Sequence, residues 1–190
     1  MYLEIGGVTD SALRLKWRSK EIYSGYIVEQ KNAEKWERIV WIGDGSITTC
    51  RVEELKPFTV YQFRITPFIY DNFYHEILGK SEEIVGKTAP PNISDIKAKY
   101  TPAFIEFSWK WNENAQGCIW EQKEHSEWKR IARIADKKIC SFQLQNPNAD
   151  EECEIRVKTF AFWGKRPTYS AYKYLISKET GGLYMSKGGE

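Results

Sequence analysis

The chain has 190 residues, 42% of them hydrophobic and 15% aromatic, with eight Trp and a net charge of +2. That composition excludes a disordered chain and suits one large domain or two small ones. Residues 1–88 hold 12 Lys/Arg against 13 Asp/Glu and residues 89–190 hold 16 against 13, so neither half carries the basic stripe of a nucleic-acid binder. No run of about 18 apolar residues occurs, which argues against a membrane span. The start, MYLEIGGVTDS, lacks the basic and apolar regions of a signal peptide.

Taken in chain order, nearly every apolar run alternates with period two. Leu13, Leu15 and Trp17 alternate with Arg14 and Lys16, and Tyr61, Phe63 and Ile65 with Gln62 and Arg64. Short alternating runs predict half-buried strands. Turn signals such as Gly43-Asp44-Gly45 and Asn146-Pro147-Asn148 separate them. The predicted strands of the first half lie near 3–7, 12–18, 25–31, 36–42, 47–53, 59–69 and 80–87. Those of the second half lie near 93–98, 103–111, 116–122, 127–133, 138–144, 152–162 and 169–176. Seven short strands per half fit a β-sandwich.

The halves are copies. Residues 26–39 read YIVEQKNAEKWERI and residues 118–131 read CIWEQKEHSEWKRI, an offset of 92 that also carries Trp17 onto Trp109 and Ile65 onto Val157. A period this long is one small domain rather than a solenoid repeat. Thr88-Ala89-Pro90-Pro91 stands near the midpoint, and two prolines make a short, stiff linker. The expected layout is a domain over 1–88, a linker over 89–91, a second domain over 92–178 and a flexible tail over 179–190.

Leu55-Lys56-Pro57-Phe58-Thr59-Val60-Tyr61-Gln62-Phe63-Arg64-Ile65 resembles the L-x-P-x-T-x-Y-x-F-x-V signature of fibronectin type III domains. Trp17, the strand from Gly25 and the exit at Thr88-Ala89-Pro90 are similar to the same family, so the resemblance covers the whole first copy. It implies an all-β chain of two tandem seven-stranded immunoglobulin-like sandwiches. In it Leu55 plugs the core, Pro57 turns the chain and the Tyr61 hydroxyl bonds back to backbone. The second copy departs at that corner, Leu144 to Cys153, where the loop is longer, the Thr is missing and Cys153 stands in place of Tyr.

Trp36 and Trp128 recur in both copies and read as architecture, each capping the edge of the smaller sheet, rather than as a ligand platform used twice. Function is sought where the copies differ, in the loop before the last strand. One copy carries Tyr70, Phe73 and Tyr74 there, and the other Trp163, Lys165 and Arg166. Rings beside cations are a composition favoured at protein interfaces; packing of the loop on the sheet edge is the competing reading. Asn92-Ile93-Ser94 is a sequon, with Asn92 expected as an exposed glycan acceptor.

Catalysis is not expected. His75 and His125 have no spaced metal-ligand partners, and no Cys-x-x-Cys, nucleophile elbow or phosphate-binding glycine loop occurs. No cofactor is expected. Cys50, Cys118, Cys140 and Cys153 read as small buried hydrophobes with free thiols, with a Cys140–Cys153 bridge as the alternative. The expected role is a spacer and protein-recognition module of an extracellular receptor or adhesion protein. Its partners would be a protein ligand or neighbouring domains of the same chain, without nucleic acid or membrane insertion. The alternatives are an intracellular scaffold array and an accessory module of a secreted carbohydrate-active enzyme.

Overall fold

The computed structural model describes residues 1–101, 103–145, 153–177 and 183–186. The chain divides into two compact units, Met1–Thr88 and Ala89–Glu190.

The first unit runs β1 (Tyr2–Val8), β2 (Leu13–Arg18), β3 (Gly25–Asn32), β4 (Lys35–Ile42), β5 (Thr49–Val52), β6 (Val60–Tyr70), β7 (Glu76–Leu78) and β8 (Glu82–Lys87). One sheet has the order β1-β2-β5 and the other β4-β3-β6-β7, with β8 also on β6. These two sheets are the layers of the expected sandwich. Strand β2 alternates between buried and exposed along its whole length. Its inward Leu13, Leu15 and Trp17 meet Tyr26 and Val28 of β3 and Phe63 and Ile65 of β6 in one core. The Trp17 and Tyr26 rings sit edge to face with centroids 5.1 Å apart. Full burial of Leu13 and of Leu15 each contributes about 1.5–3 kcal/mol.

The second unit runs β9 (Ser94–Tyr100), β10 (Phe104–Lys110), β11 (Gly117–Glu124), β12 (Glu127–Ile134), β13 (Ser141–Gln145), β14 (Cys153–Trp163), β15 (Arg166–Tyr169), β16 (Lys173–Ser177) and β17 (Leu183–Ser186). Its sheets are β13-β10-β9 and β12-β11-β14-β16-β17, with β15 also on β14. The core keeps the plan of the first unit but exchanges volumes along one strand. Where β3 places Tyr26 and then Val28, β11 places Cys118 and then Trp120, all four buried. The large ring has moved two residues along the same face, a swap that conserves volume. Trp120 then packs against Phe107, Trp109 and Phe142 at centroid distances of 5.0–5.3 Å.

Three expectations change. The seventh strand of each copy is two strands: β6 pairs with β8 over Val60–Ile65 and with β7 over Phe68–Tyr70. The exchange falls at Pro67, which has no N–H to donate, and the Gly79 amide donates to the Pro67 carbonyl at 2.7 Å. Second, the tail expected to be flexible contains β17, antiparallel to β16. An open edge presents unpaired backbone groups, and Leu183-Tyr184-Met185 is a run with strand propensity. Third, Trp36 and Trp128 lie on the edge strands β4 and β12 of the larger sheet, not the smaller one.

The corner of the first unit forms as the resemblance implies. Leu55 is buried, and the Lys56 amide donates to the Tyr61 hydroxyl at 2.7 Å. Pro57 is exposed in the turn. In the second unit Cys153 starts β14, and its Sγ accepts from Gln122 Nε2 at 3.3 Å. The longer loop over 146–152 lies outside the described residues.

A candidate recognition surface on the larger sheet

The repeated segment builds the same cluster twice on the outer face of the larger sheet. Residues Glu29 and Arg64 pair across β3 and β6. Arg64 donates through Nε and Nη2 to the two Glu29 carboxylate oxygens at 2.6 and 2.7 Å. Its guanidinium lies 4.6 Å from the centre of the Trp36 ring. At the 92-residue offset, Arg156 donates to Glu121 at 2.6 Å and stacks 4.2 Å from Trp128. Both pairs are stacked and half-buried, and the Arg64–Glu29 pair is bidentate, so they hold their geometry better than an exposed ion pair. In both units the ring of Trp36 or Trp128 lies against this ion pair.

Next to this cluster each unit sets a phenylalanine over a glycine. Phe68 pairs with Gly25 and Phe160 with Gly117. A side chain on either glycine would strike the ring: a Cβ at Gly25 falls 2.5 Å from Phe68, and one at Gly117 falls 2.3 Å from Phe160. Both phenylalanines are buried although they face away from the inner core.

From here the units diverge. In the first, Trp41 stacks on Phe68 with centroids 5.7 Å apart and planes at 18°, and Tyr70 meets the same ring edge-on at 5.4 Å. The Trp41 indole N–H donates to Glu76 Oε1 at 3.0 Å. Trp41, Tyr70 and Leu78 all remain partly open to solvent. Beside them lies a depression of about 230 Å³ lined by Ile27, Arg64, Thr66 and Leu78.

The loop from β6 to β7 rises from this face. Asp71 organises it. Its Oδ1 accepts the amides of Phe73 and His75, each at 2.8 Å. Its own amide and carbonyl bond to His75 and Tyr74 at 3.0 and 3.1 Å. These amides, that of His75 foremost, hold the Asp71 carboxyl below the usual aspartate range. The loop is thereby fixed, and Phe73 and Tyr74 project from it, 79% and 85% exposed. Tyr74 has φ +63°, a left-handed conformation that is costly for a bulky side chain.

In the second unit the matching connection is a two-residue turn. Gly164 takes φ +63° there, and open space surrounds it. Trp163, Lys165 and Arg166 are exposed around that turn, so the structure places one set of the expected recognition residues in each unit. Arg133 occupies the Trp41 position, with its guanidinium 4.5 Å from the Phe160 ring. Trp41, Phe68, Leu78 and Arg133 were not singled out from the sequence. The signal was present, because a Trp41-to-Arg133 difference at the 92-residue offset marks a shared position with altered chemistry.

Asn92 is not an exposed acceptor. It is 7% exposed. Its Nδ2 donates to the carbonyls of Val157 and Ala171, both at 2.9 Å, and its Oδ1 accepts the Ile93 amide at 2.8 Å. A glycan would displace one of those donations. Cys50, Cys118 and Cys140 are free thiols. Burial raises the thiols of Cys50 and Cys153 and pushes Cys118 up to about 12. Cys140, expected in the interior, is exposed because it lies in the turn before β13 rather than on a strand. Among the described residues no group of three or more His, Cys, Asp or Glu is placed to hold a metal ion. Among the described residues no helix is long and apolar enough to cross a membrane.

No family model and no curated protein matches the chain. Among solved structures it is similar to the FN1–FN3 domains of chicken CNTN1, with 19% identity and a TM-score of 0.45. That match covers 93% of this chain and 66% of the other. It is also similar to a two-domain fibronectin type III segment from chicken tenascin, with 16% identity and a TM-score of 0.43, covering 93% and 97% of the two chains.

Proposed function

We propose that the chain is a non-catalytic spacer and protein-recognition segment of a cell-surface receptor or adhesion protein. Residues 1–88 and 92–178 form its two modules and 89–91 the connection. The observation that carries this reading is Tyr74. A bulky residue held at φ +63° and 85% exposed gives the fold little packing in return for its strain. Strain that the fold does not use marks a candidate contact residue. Phe73 beside it and the partly open Trp41, Tyr70 and Leu78 below supply a mixed aromatic surface of the kind found at interface hot spots. Trp163, Lys165 and Arg166 are the corresponding contacts of the second module.

The test is a binding screen of the chain against an array of cell-surface ectodomains, repeated with Phe73→Ala/Tyr74→Gly. The expected result is a partner lost in the variant while its thermal midpoint holds or rises. A partner retained at full affinity counts against the reading.

One observation favours an intracellular scaffold instead: an exposed free thiol at Cys140 beside an inaccessible sequon. Exposed free thiols persist more readily in a reducing compartment. The intact mass of the parent protein from native cells, with thiols alkylated before reduction, separates the two. Glutathione or a partner disulfide on Cys140 places the segment outside the cell, and a fully alkylatable set places it inside.

A further inference from the structure

The two units form an internal control. Where the copies differ at the 92-residue offset, the common fold does not account for the residue and another explanation is open. On the outer face of the larger sheet the second unit replaces Trp41 with Arg133 and Thr66 with Lys158, and it keeps Arg130 where the first has Arg38. The register puts these three side chains on one face with Lys123 and Arg156. Among the described residues two acids share that face. Glu121 is taken by Arg156 at 2.6 Å and Glu154 by Lys123 at 2.6 Å. Arg130, Arg133 and Lys158 form no ion pair among the described residues.

The free cations are held against rings. Arg133 lies over Phe160 at 4.5 Å, and Lys158 lies 4.4 Å from Tyr172 and 4.8 Å from Tyr169, donating to the Tyr172 hydroxyl at 2.5 Å. Arg156 closes the ladder, stacked between Trp128 at 4.2 Å and Tyr172 at 3.9 Å. Cations placed over rings lose little freedom when they meet an anion. Arg133 and Lys158 lie in one row on strands two apart, about 10 Å from each other.

We infer that the outer face of β12, β11 and β14 is a second docking surface, and that it takes an acidic, aromatic-bearing polypeptide segment. The face offers three uncompensated cations to carboxylates and a row of rings to apolar side chains. A polyanion such as nucleic acid or a sulfated polysaccharide is gripped through many phosphate or sulfate contacts in line. A flat face with three free cations among rings suits a partner that is part acid and part ring. This inference does not rest on the loop of the first unit.

The test uses the full chain and a random copolymer of glutamate and tyrosine as probe, titrated by calorimetry at low and at physiological salt. The expected result is saturable binding that weakens with salt, and a loss of about tenfold or more for Arg133→Glu/Lys158→Glu. Arg38→Glu, at the first unit's counterpart of Arg130, should alter affinity by less than about twofold. The milder Arg133→Gln/Lys158→Gln pair should give an intermediate loss at an unchanged thermal midpoint, which separates lost charge from lost fold. Absence of saturable binding overturns the inference, as does equal affinity in the charge-reversed pair. Tighter binding of heparin or of single-stranded RNA than of the copolymer overturns it too, by assigning the face to a polyelectrolyte. Phe73→Ala/Tyr74→Gly should leave copolymer binding intact, so failure of this inference and failure of the proposed function are told apart.

Discussion

Every polar atom of the Asn92 side chain is bonded to backbone, which makes this residue a joint between β9 and the larger sheet of its unit. Asn92→Ala would remove the partner of the Ile93 amide and a donor from the Val157 and Ala171 carbonyls in a buried place, with Ala171 keeping only its bond from Ser170 Oγ at 2.9 Å. The expected cost is about 2–3 kcal/mol, since each unsatisfied buried group costs about 1–3 kcal/mol; denaturant unfolding followed by Trp fluorescence measures it. Nothing in the sequon itself revealed this. The triplet Asn-Ile-Ser specifies an acceptor by type and says nothing of depth, and two preceding prolines suggested an exposed segment. The repeat gave no help, because the first copy has no residue 92 positions earlier. The Glu29–Arg64–Trp36 cluster was different. All three residues recur at the same offset, so it was legible in principle, but Arg64 lies 28 positions beyond Trp36 and only strand pairing brings them together.

At the scale of elements, the β6–β7 loop owes its shape to one carboxylate. The amides of His75 and Phe73 favour the charged form of Asp71, so its folded pKa lies below its unfolded one. Stabilisation from a depressed acid is fully present above the unfolded pKa and is lost as pH falls through the folded pKa. The loop should therefore keep its order from neutral pH down through the ordinary aspartate range and loosen on further acidification. The amide resonances of Phe73 and His75 in a pH titration report this directly; loosening already near neutral pH would mean that the Asp71 carboxylate does not set the loop's shape. Alternation in the sequence located β6 and the loop that follows it. It did not show the exchange of partners at Pro67, which depends on where a missing N–H falls against two different neighbours. Nor could the left-handed Tyr74 be read from residue type, since glycine is the usual occupant of such a position.

At the scale of the whole molecule, two cores with one strand plan differ in where they place bulk, and the thiols record the difference. Cys118 and Cys153 are sealed in the second core, Cys50 is half-buried in the first unit, and Cys140 is open to solvent. The thiolate is the reactive form, so burial that raises a thiol pKa also slows its alkylation. Iodoacetamide at neutral pH should label the native chain first at Cys140, then at Cys50, and reach Cys118 and Cys153 only on unfolding. Time-resolved mass spectrometry of the intact chain checks the order, and early labelling of Cys118 would mean that the second core opens far more readily than its packing suggests. The tandem sandwich plan was legible because period-two alternation and a Trp-to-Trp offset survive divergence. The position of Cys140 was not, because a run that alternates on paper had its first residues drawn into the turn around Asp136.

The phenylalanine seated on a glycine has a practical consequence. It anchors the outside of the larger sheet without calling on the interior, so the positions around it are free to be rewritten. The two copies are already two spellings of one template, with Trp41 and Thr66 in the first and Arg133 and Lys158 in the second. A combinatorial display library that fixes Gly25, Phe68, Glu29, Arg64 and Trp36, and randomises positions 27, 41, 66 and 70 with the 72–75 loop, would start from a frame the chain itself has varied once.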